Sequence, residues 1–373
     1  MSRLLHGHLR AGAALLYRAG AARAMQAAGD RWKLVRNAGG RRWVRRTSPP
    51  FPILIYHRVN PWPSSFAIDV TPPDRFRRQM EHLARRYRVL PLEELWRRTQ
   101  EGSLPARSVA VTFDDGYADN HEFALPILRD LGVPATVFVV TGCVGTGVIP
   151  WHDRVLAAFE RTSRTEAALP GDPMPATLVG VGARRSAAFR VLGALKPLEE
   201  PERLAGVARV EASLGAGAGA AEAGRPLMLD WDQVRAMRRG GFAIGSHTVS
   251  HPILSRQSPE RVWAELTRSK MEIENAIGEP VTLFAYPNGR PEDYTPETVS
   301  LVRRAGYRVA VTTTFGVNDG GDDPLLWKRG TPWETDLPRF ALKLAYYRLL
   351  ATPGLGPSSP AGPAAGAASR NHP

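Results

Sequence analysis

The chain has 373 residues, 43% of them hydrophobic and 8% aromatic, enough to bury one large α/β core or two modest ones. Its single cysteine, Cys143, excludes an intrachain disulfide and fits a reducing compartment. The net charge of +13 is uneven: Met1 to Arg46 carries eleven Lys and Arg against Asp30, which leaves only +3 for the rest of the chain.

Residues 1–50 therefore read as a basic arm. From Leu4 to about Val35 it favours helix, with Leu5, Leu9, Leu15, Leu16 and Met25 set between arginines. One reading is an amphipathic helix in peripheral contact with a membrane, with Trp32 and Trp43 as interface anchors. The other is a solvated basic tail or a helix packed on the body. No stretch is long enough to cross a bilayer. The run from Ala11 to Tyr17 is short and lacks a clear cleavage site, so no signal peptide is expected, and a cytoplasmic or membrane-peripheral place is. No nucleic-acid module is recognisable, and the oligomeric state is left open.

Beyond Pro49-Pro50, Ile53 to Tyr56 reads as a buried strand with His57-Arg58 at its end. Pro61-Trp62-Pro63 marks an irregular loop. A helix beginning near Pro73 presents Phe76, Met80, Leu83 and Tyr87 on one face. A brief strand at 88–90 and a helix from Leu92 to Thr99 follow. Val109 to Phe113 is β-branched and apolar, and it runs straight into Asp114-Asp115-Gly116. A helix over 118–131, closed by Gly132, leads to the strand 135–140. The alternation implies parallel βα units.

Trp151 to Arg161 is predicted helical. Residues 162–224, rich in Ala, Gly and Arg, read as an insertion of small helices and a flexible linker without chemistry of its own. The core resumes at Leu229. Asp230 with Gln233 forms a capping box, and the helix it opens stops at Gly240-Gly241. The strand from Phe242 ends at Gly245-Ser246-His247. Pro259 opens a helix with Val262, Leu266, Ile273 and Ile277 on one face. Val281 to Ala285 is a strand ending at Tyr286-Pro287-Asn288-Gly289. Thr295-Pro296 starts another helix, Tyr307 to Val311 and Leu325 to Lys328 are late strands, and Phe340 to Leu350 is a last helix. Residues 51–350 thus form one catalytic domain, and 351–373 a disordered tail.

His57, Asp114-Asp115, His247 and Asn288 each follow a predicted strand. In a parallel barrel those ends share one face, where active sites are built. His247 and His251 are four residues apart, and Pro252 disfavours helix there, so a loop turn is expected. Two histidines and a carboxylate make three protein ligands, which for Zn²⁺ leaves a fourth position open. The same residue types serve non-haem Fe(II) oxygenases, although there the carboxylate follows the first histidine. A glycosidase using Asp114 and Asp115 is disfavoured, because sequence neighbours diverge in direction.

Thr112-Phe113-Asp114-Asp115-Gly116 followed by Ser246-His247-Thr248-Val249-Ser250-His251 resembles the polysaccharide deacetylase family, the NodB-type carbohydrate esterases. The resemblance implies a distorted (β/α) barrel and metal-dependent removal of acetyl groups from an acetylated polysaccharide or oligosaccharide. By it, Asp115, His247 and His251 hold one divalent metal, Zn²⁺ being the expected one. Asp114 is then the general base, or alternatively a residue that orients a ligand. Phe284 to Gly289 is similar to the family's third motif, in which the backbone N–H at residue 288 helps hold the oxyanion. Many members carry arginine where this chain has Ala285. Arg329 is a candidate substitute, the plainer reading being a surface arginine. The late Leu-x-x-His motif is missing, and His372 is a poor replacement. Ile55-Tyr56-His57-Arg58 instead resembles the branch acting on exopolysaccharide such as poly-N-acetylglucosamine. There His57 is the general acid, against the plainer reading of a hydrogen-bonded strand-end histidine. Trp151-His152-Asp153, Tyr56, Tyr117 and Trp333 are either site walls or core. The remaining alternatives are an O-acetyl esterase and an inactive sugar-binding protein of the same fold.

Overall fold

Seven short strands whose side chains alternate between two apolar clusters set the architecture. They are β1 (Ile53–Tyr56), β2 (Ser108–Phe113), β3 (Ala135–Val139), β4 (Phe242–Ser246), β5 (Leu283–Ala285), β6 (Val309–Phe315) and β7 (Trp327–Arg329). The computed structural model describes residues 34–36, 43–45, 48–62, 64–67, 69–172, 174–216, 225–332 and 334–350. Most of the expected arm, the expected tail with His372, and Trp333 lie outside them. Of the arm, two short antiparallel strands are described, Leu34–Arg36 and Trp43–Arg45, so the expected helix does not extend to Val35.

The seven strands pair in sequence order and all pairings are parallel. The last strand returns to the first: Leu54 bridges Gly330, with Ile55 N–H donating to Gly330 O at 3.1 Å and Gly330 N–H to Ile53 O at 2.8 Å. The sheet is thereby a nearly closed barrel ringed by helices, the (β/α) form expected.

Period-2 alternation separates inside from outside. Ile53, Ala110, Phe138, Leu283, Val311 and Trp327 meet one another, and helix α2 (Leu92–Gln100) packs Leu92 and Leu95 into the same cluster. Their strand neighbours, such as Leu54, Val111, Val137, Ile244 and Phe284, pack outward against the helices. Those helices include α1 (Pro73–Arg86) and α3 (Leu125–Leu131), whose cap Gly132 is left-handed at φ 63°. Gly245 faces Phe138 so closely that a Cβ there would lie 2.4 Å from the ring.

Several expectations need correction. The helix over 118–131 is not uniform: Asn120–Ala124 is a π-turn. Pro126 has no N–H to return to residue 122, and the turn widens to bypass it. The strand expected at 307–311 is Val309–Phe315, so Thr312 to Thr314 belong to it. The strand expected at 281–285 begins only at Leu283, and that expected at 325–328 is Trp327–Arg329.

Residues 151–214 form helices α4 (Trp151–Arg161), α5 (Gly180–Leu195) and α6 (Glu200–Leu214), the last two of 16 and 15 residues and not the small helices expected. They bury a cluster of their own around Phe159, Ala187, Val191, Leu195, Val207 and Val210. Four more helices complete the outer layer: α7 (Trp231–Arg239), α8 (Pro259–Ile277), α9 (Pro296–Arg304) and α10 (Leu337–Leu350).

Gly245→Ala should overpack the barrel interior, since Phe138 is fully buried and has nowhere to retreat. A loss of about 1–3 kcal/mol is expected, read as a lower urea midpoint; an unchanged midpoint would show that the interior has slack.

Candidate active site

The inward parity of each strand carries over to the residue just past its end. Ile53 and Ile55 lead to His57, Ala110 and Thr112 to Asp114, and Ala243 and Gly245 to His247. On β7, Trp327 leads to Arg329. Four polar side chains from four strands therefore converge at one mouth of the barrel, where parallel strands present their C-terminal ends.

Asp114 and Arg329 meet there. The guanidinium donates from Nη1 to Oδ1 at 2.7 Å and from Nη2 to Oδ2 at 2.6 Å. Its Nε donates to Thr312 O at 2.8 Å, and Nη1 also reaches Thr112 Oγ1 at 3.2 Å. Arg329 is 1% exposed, so the surface-arginine reading is wrong, and Asp114 has a guanidinium partner although residue 285 is alanine. Burial by itself would raise the Asp114 carboxyl, but the charges of Arg329, His247 and His57 outweigh it and hold the group below its ordinary value.

Asp115, one residue on, turns away at φ 71° toward the histidines. Its Oδ1 lies 3.5 Å from His247 Nε2 and 3.4 Å from His251 Nε2. Among the described residues this is the one group of three such side chains able to hold a metal, with all ligand atoms within 4.8 Å of one another. The contacts are too long for good hydrogen bonds, and Asp115 Oδ1 and His251 Nδ1 are buried without a hydrogen-bond partner. Ligands about 2.1 Å from a tetrahedral centre stand roughly 3.4 Å apart. The spacing and the orphaned oxygen thus fit a small divalent ion. His247 Nδ1 lies 2.8 Å from Ala285 O, which leaves Nε2 facing Asp115.

Burial raises the Asp115 carboxyl on its own, but its contact with His247 and the nearby imidazoles carry it well below the usual range. Burial drives His251 well down, toward the neutral imidazole a cation requires. For His247, burial is outweighed by the two aspartates, and its value is raised.

His57 is held by Asn120, whose Nδ2 donates to its carbonyl at 2.8 Å, while its Nδ1 lies 3.5 Å from Asp69 Oδ2. The side chain is 23% exposed, so it is reachable. Buried Asp119 braces the same segment, accepting from Arg58 Nε at 2.8 Å, Val59 N at 3.2 Å and Asn60 Nδ2 at 2.9 Å. Asn288 sits left-handed at φ 59° with its Nδ2 buried and unpartnered. Its backbone N–H donates to no protein group among the described residues.

Of the aromatic candidates, Tyr56 belongs to the outer core, stacked on Phe113 and donating to Gln79 Oε1 at 2.9 Å. Trp151 is buried beneath Arg203. His152 was named only as part of a wall motif, yet its ring lies 5.2 Å from that of His251. Tyr117 is buried and donates to Asp153 Oδ2 at 2.9 Å. Beside them Arg58, Trp62, Phe66, Asp153, Glu160 and Arg225 line a cavity of about 420 Å³.

Comparison with known proteins agrees with this geometry. The polysaccharide deacetylase family profile matches residues 101–310. YxkH of Bacillus subtilis, whose name places it among polysaccharide deacetylases, is 24% identical over 277 residues, covering 74% of this chain and 68% of that protein. The poly-beta-1,6-N-acetyl-D-glucosamine N-deacetylase of Staphylococcus aureus is 41% identical over 58 residues, which is 16% of this chain and 20% of that enzyme. The solved Streptococcus pyogenes deacetylase PplD, in complex with acetate, superposes with a TM-score of 0.54 at 22% identity, over 79% of this chain and 98% of that one, and shares the fold. With 210 consecutive residues matching the profile and the strand-end constellation in place, the chain belongs to the polysaccharide deacetylase family.

Proposed function

We propose that this member is a metal-dependent N-deacetylase of a glycan built from N-acetylated hexosamine, on the poly-N-acetylglucosamine side of the family. The observation that carries the reading is the buried Asp115, His247 and His251 cluster next to an Asp114 clamped by Arg329. The early His57 and the short match to the staphylococcal enzyme support the branch.

Asp115, His247 and His251 would hold the divalent ion, which when bound would supply Lewis acidity to the site. Asp114, kept ionised by Arg329, takes the proton from the attacking water on a carboxylate oxygen. The Asn288 N–H, which has no protein acceptor among the described residues, would donate to the oxygen that gains charge. His57 hands a proton to the departing nitrogen, since an amide nitrogen leaves poorly until protonated. Asp69 and Asn120 keep its ring and backbone in place.

Acetate release from a panel of N- and O-acetylated glycans tests the reading. Release from an N-acetylglucosamine polymer, lost with chelator and restored by Zn²⁺, is expected. Release from O-acetylated glycans alone would make the chain an esterase, and none from either would leave a sugar-binding protein.

Asp114→Asn leaves the buried Arg329 charge unpaired and should cost about 3–5 kcal/mol of stability; the folded variant should keep wild-type zinc content but turn over about 10²–10⁴ more slowly, because an amide cannot take the proton. Near-normal turnover of the zinc-loaded variant would refute the base assignment.

His57→Ala should impair amide deacetylation far more than hydrolysis of an activated aryl acetate, whose leaving group needs no proton. Zinc content should not change. An equal loss on both substrates would mark His57 as structural.

A further inference from the structure

The loop that carries His247 and His251 is held only in part by its own hydrogen bonds. Thr248 and His251 are both left-handed, at φ 69° and 57°, a conformation that β-branched and bulky residues avoid. His247 N–H donates to Val139 O of β3 at 3.0 Å, and the N–H groups of Thr248 and His251 reach the hydroxyls of Ser246 and Thr248, but those of Val249 and Ser250, between the two histidines, find no acceptor within the loop. These two converge on Glu265 of α8, which is 3% exposed. Glu265 Oε2 accepts from Val249 N–H at 2.7 Å and from Ser250 N–H at 3.0 Å.

Glu265 is in turn tied to the helices over 151–214. Ser250 Oγ lies 2.8 Å from both Glu265 Oε1 and Glu200 Oε1, and its one proton can serve either. Arg261 Nη2 bridges the same two carboxylates, 3.0 Å from Glu200 Oε2 and 3.1 Å from Glu265 Oε1. Glu200 stands at the start of α6. On the loop's other side, Gly142 N–H donates to Val249 O at 2.8 Å, and a Cβ on Gly142 would lie 2.6 Å from that oxygen.

We infer that Glu265 is a positioning residue for the metal-binding loop, and that Glu200 extends this control to the helical segment outside the barrel. The inference rests on the metal reading given under Proposed function. Neither glutamate is one of the three ligands. Their work is to keep Val249 and Ser250 in the turn that aims both imidazoles at Asp115. Without Glu265 two backbone donors lose their acceptor, and the left-handed turn loses what compensates it. On this inference residues 162–224 support the loop through Glu200, without taking part in the chemistry themselves.

Zinc affinity of the full-length protein, measured by competition with a chromophoric chelator at fixed pH, tests this without recourse to activity. Glu265→Ala should weaken binding about 10–100-fold, the usual effect of removing a residue that orients ligands. Glu265→Gln should recover much of the loss, because its carbonyl oxygen can still accept from both backbone donors. Glu200→Ala should fall between wild type and Glu265→Ala. Arg154→Leu is the control: it breaks the Arg154–Glu211 pair within the helical segment, 2.7 Å long, without touching the loop. It should lower the melting temperature and leave zinc affinity unchanged. Zinc bound equally tightly by wild type and both Glu265 variants would overturn the inference while sparing the metal reading. If Glu265→Ala fails to fold, the Gln variant and Glu200→Ala decide. A wild-type protein that binds no stoichiometric zinc would overturn the metal reading, and this inference with it.

Discussion

A fully buried bidentate ion pair between Asp114 and Arg329 is the constraint on which the site depends. Taking both charges out of water costs several kcal/mol per ion, and their attraction repays that only when every remaining donor is satisfied. Arg329 comes close to the condition: two of its five N–H donors serve Asp114, and two more are taken by Thr312 O and Thr112 Oγ1. Removing either partner would leave a lone charge in the barrel, at a cost of about 3–5 kcal/mol. The pair also bears on closure. Arg329 ends β7, and Gly330 beside it makes the hydrogen bonds to β1 that complete the barrel. One side chain thus joins the last strand to the carboxylate behind the second.

Around that pair the chain is strained where it must aim side chains. Six described residues other than glycine have positive φ: Asp69, Arg107, Asp115, Thr248, His251 and Asn288. All but Arg107 lie at the site or touch it. Each such residue costs of order 1–3 kcal/mol unless the surroundings impose the conformation. For Asp115 the neighbour is Gly116, itself at φ 81°, and together they turn two adjacent carboxylates in different directions. That divergence lets one carboxylate face Arg329 while the other faces the histidines. For the histidine loop, Glu265, Glu200 and Gly142 add to the loop's own hydrogen bonds, and none of the three belongs to the Asp115, His247 and His251 cluster.

Much of this was legible in the sequence because it follows from local rules. The strands that position the site are apolar on both faces, as buried parallel strands must be, and each ends in the polar residue it presents. Capping at Asp230 and Thr295 was readable because a cap is a short-range event. What was not legible depends on distance. Arg329 is 215 residues from its partner, and nothing adjacent in sequence distinguishes it from a surface arginine. Glu265 lies next to the apolar stripe of α8, where a lone carboxylate reads as a solvated edge. The helices over 180–214 pack through small residues: a Cβ on Gly206 would lie 2.4 Å from Leu195. Ala and Gly allow that approach but leave no hydrophobic period to read.

The position of the arginine shows which kind of rule the family motif expresses. Where the resemblance leads one to expect a guanidinium at 285, this chain has alanine, fully buried and facing inward, with its carbonyl used by His247. The guanidinium comes from β7 instead, two strands further round. A closed barrel makes this exchange possible, because inward residues at the ends of several strands reach the same small volume. What the buried Asp114 carboxylate requires is a cation within bidentate reach, and not a cation at a given place in the sequence. Phe138 shares the barrel interior, its ring 6.0 Å from the Arg329 guanidinium carbon. An electrostatic need fixed in space, met from a different strand, explains how a motif can lose its arginine while the site keeps its charge.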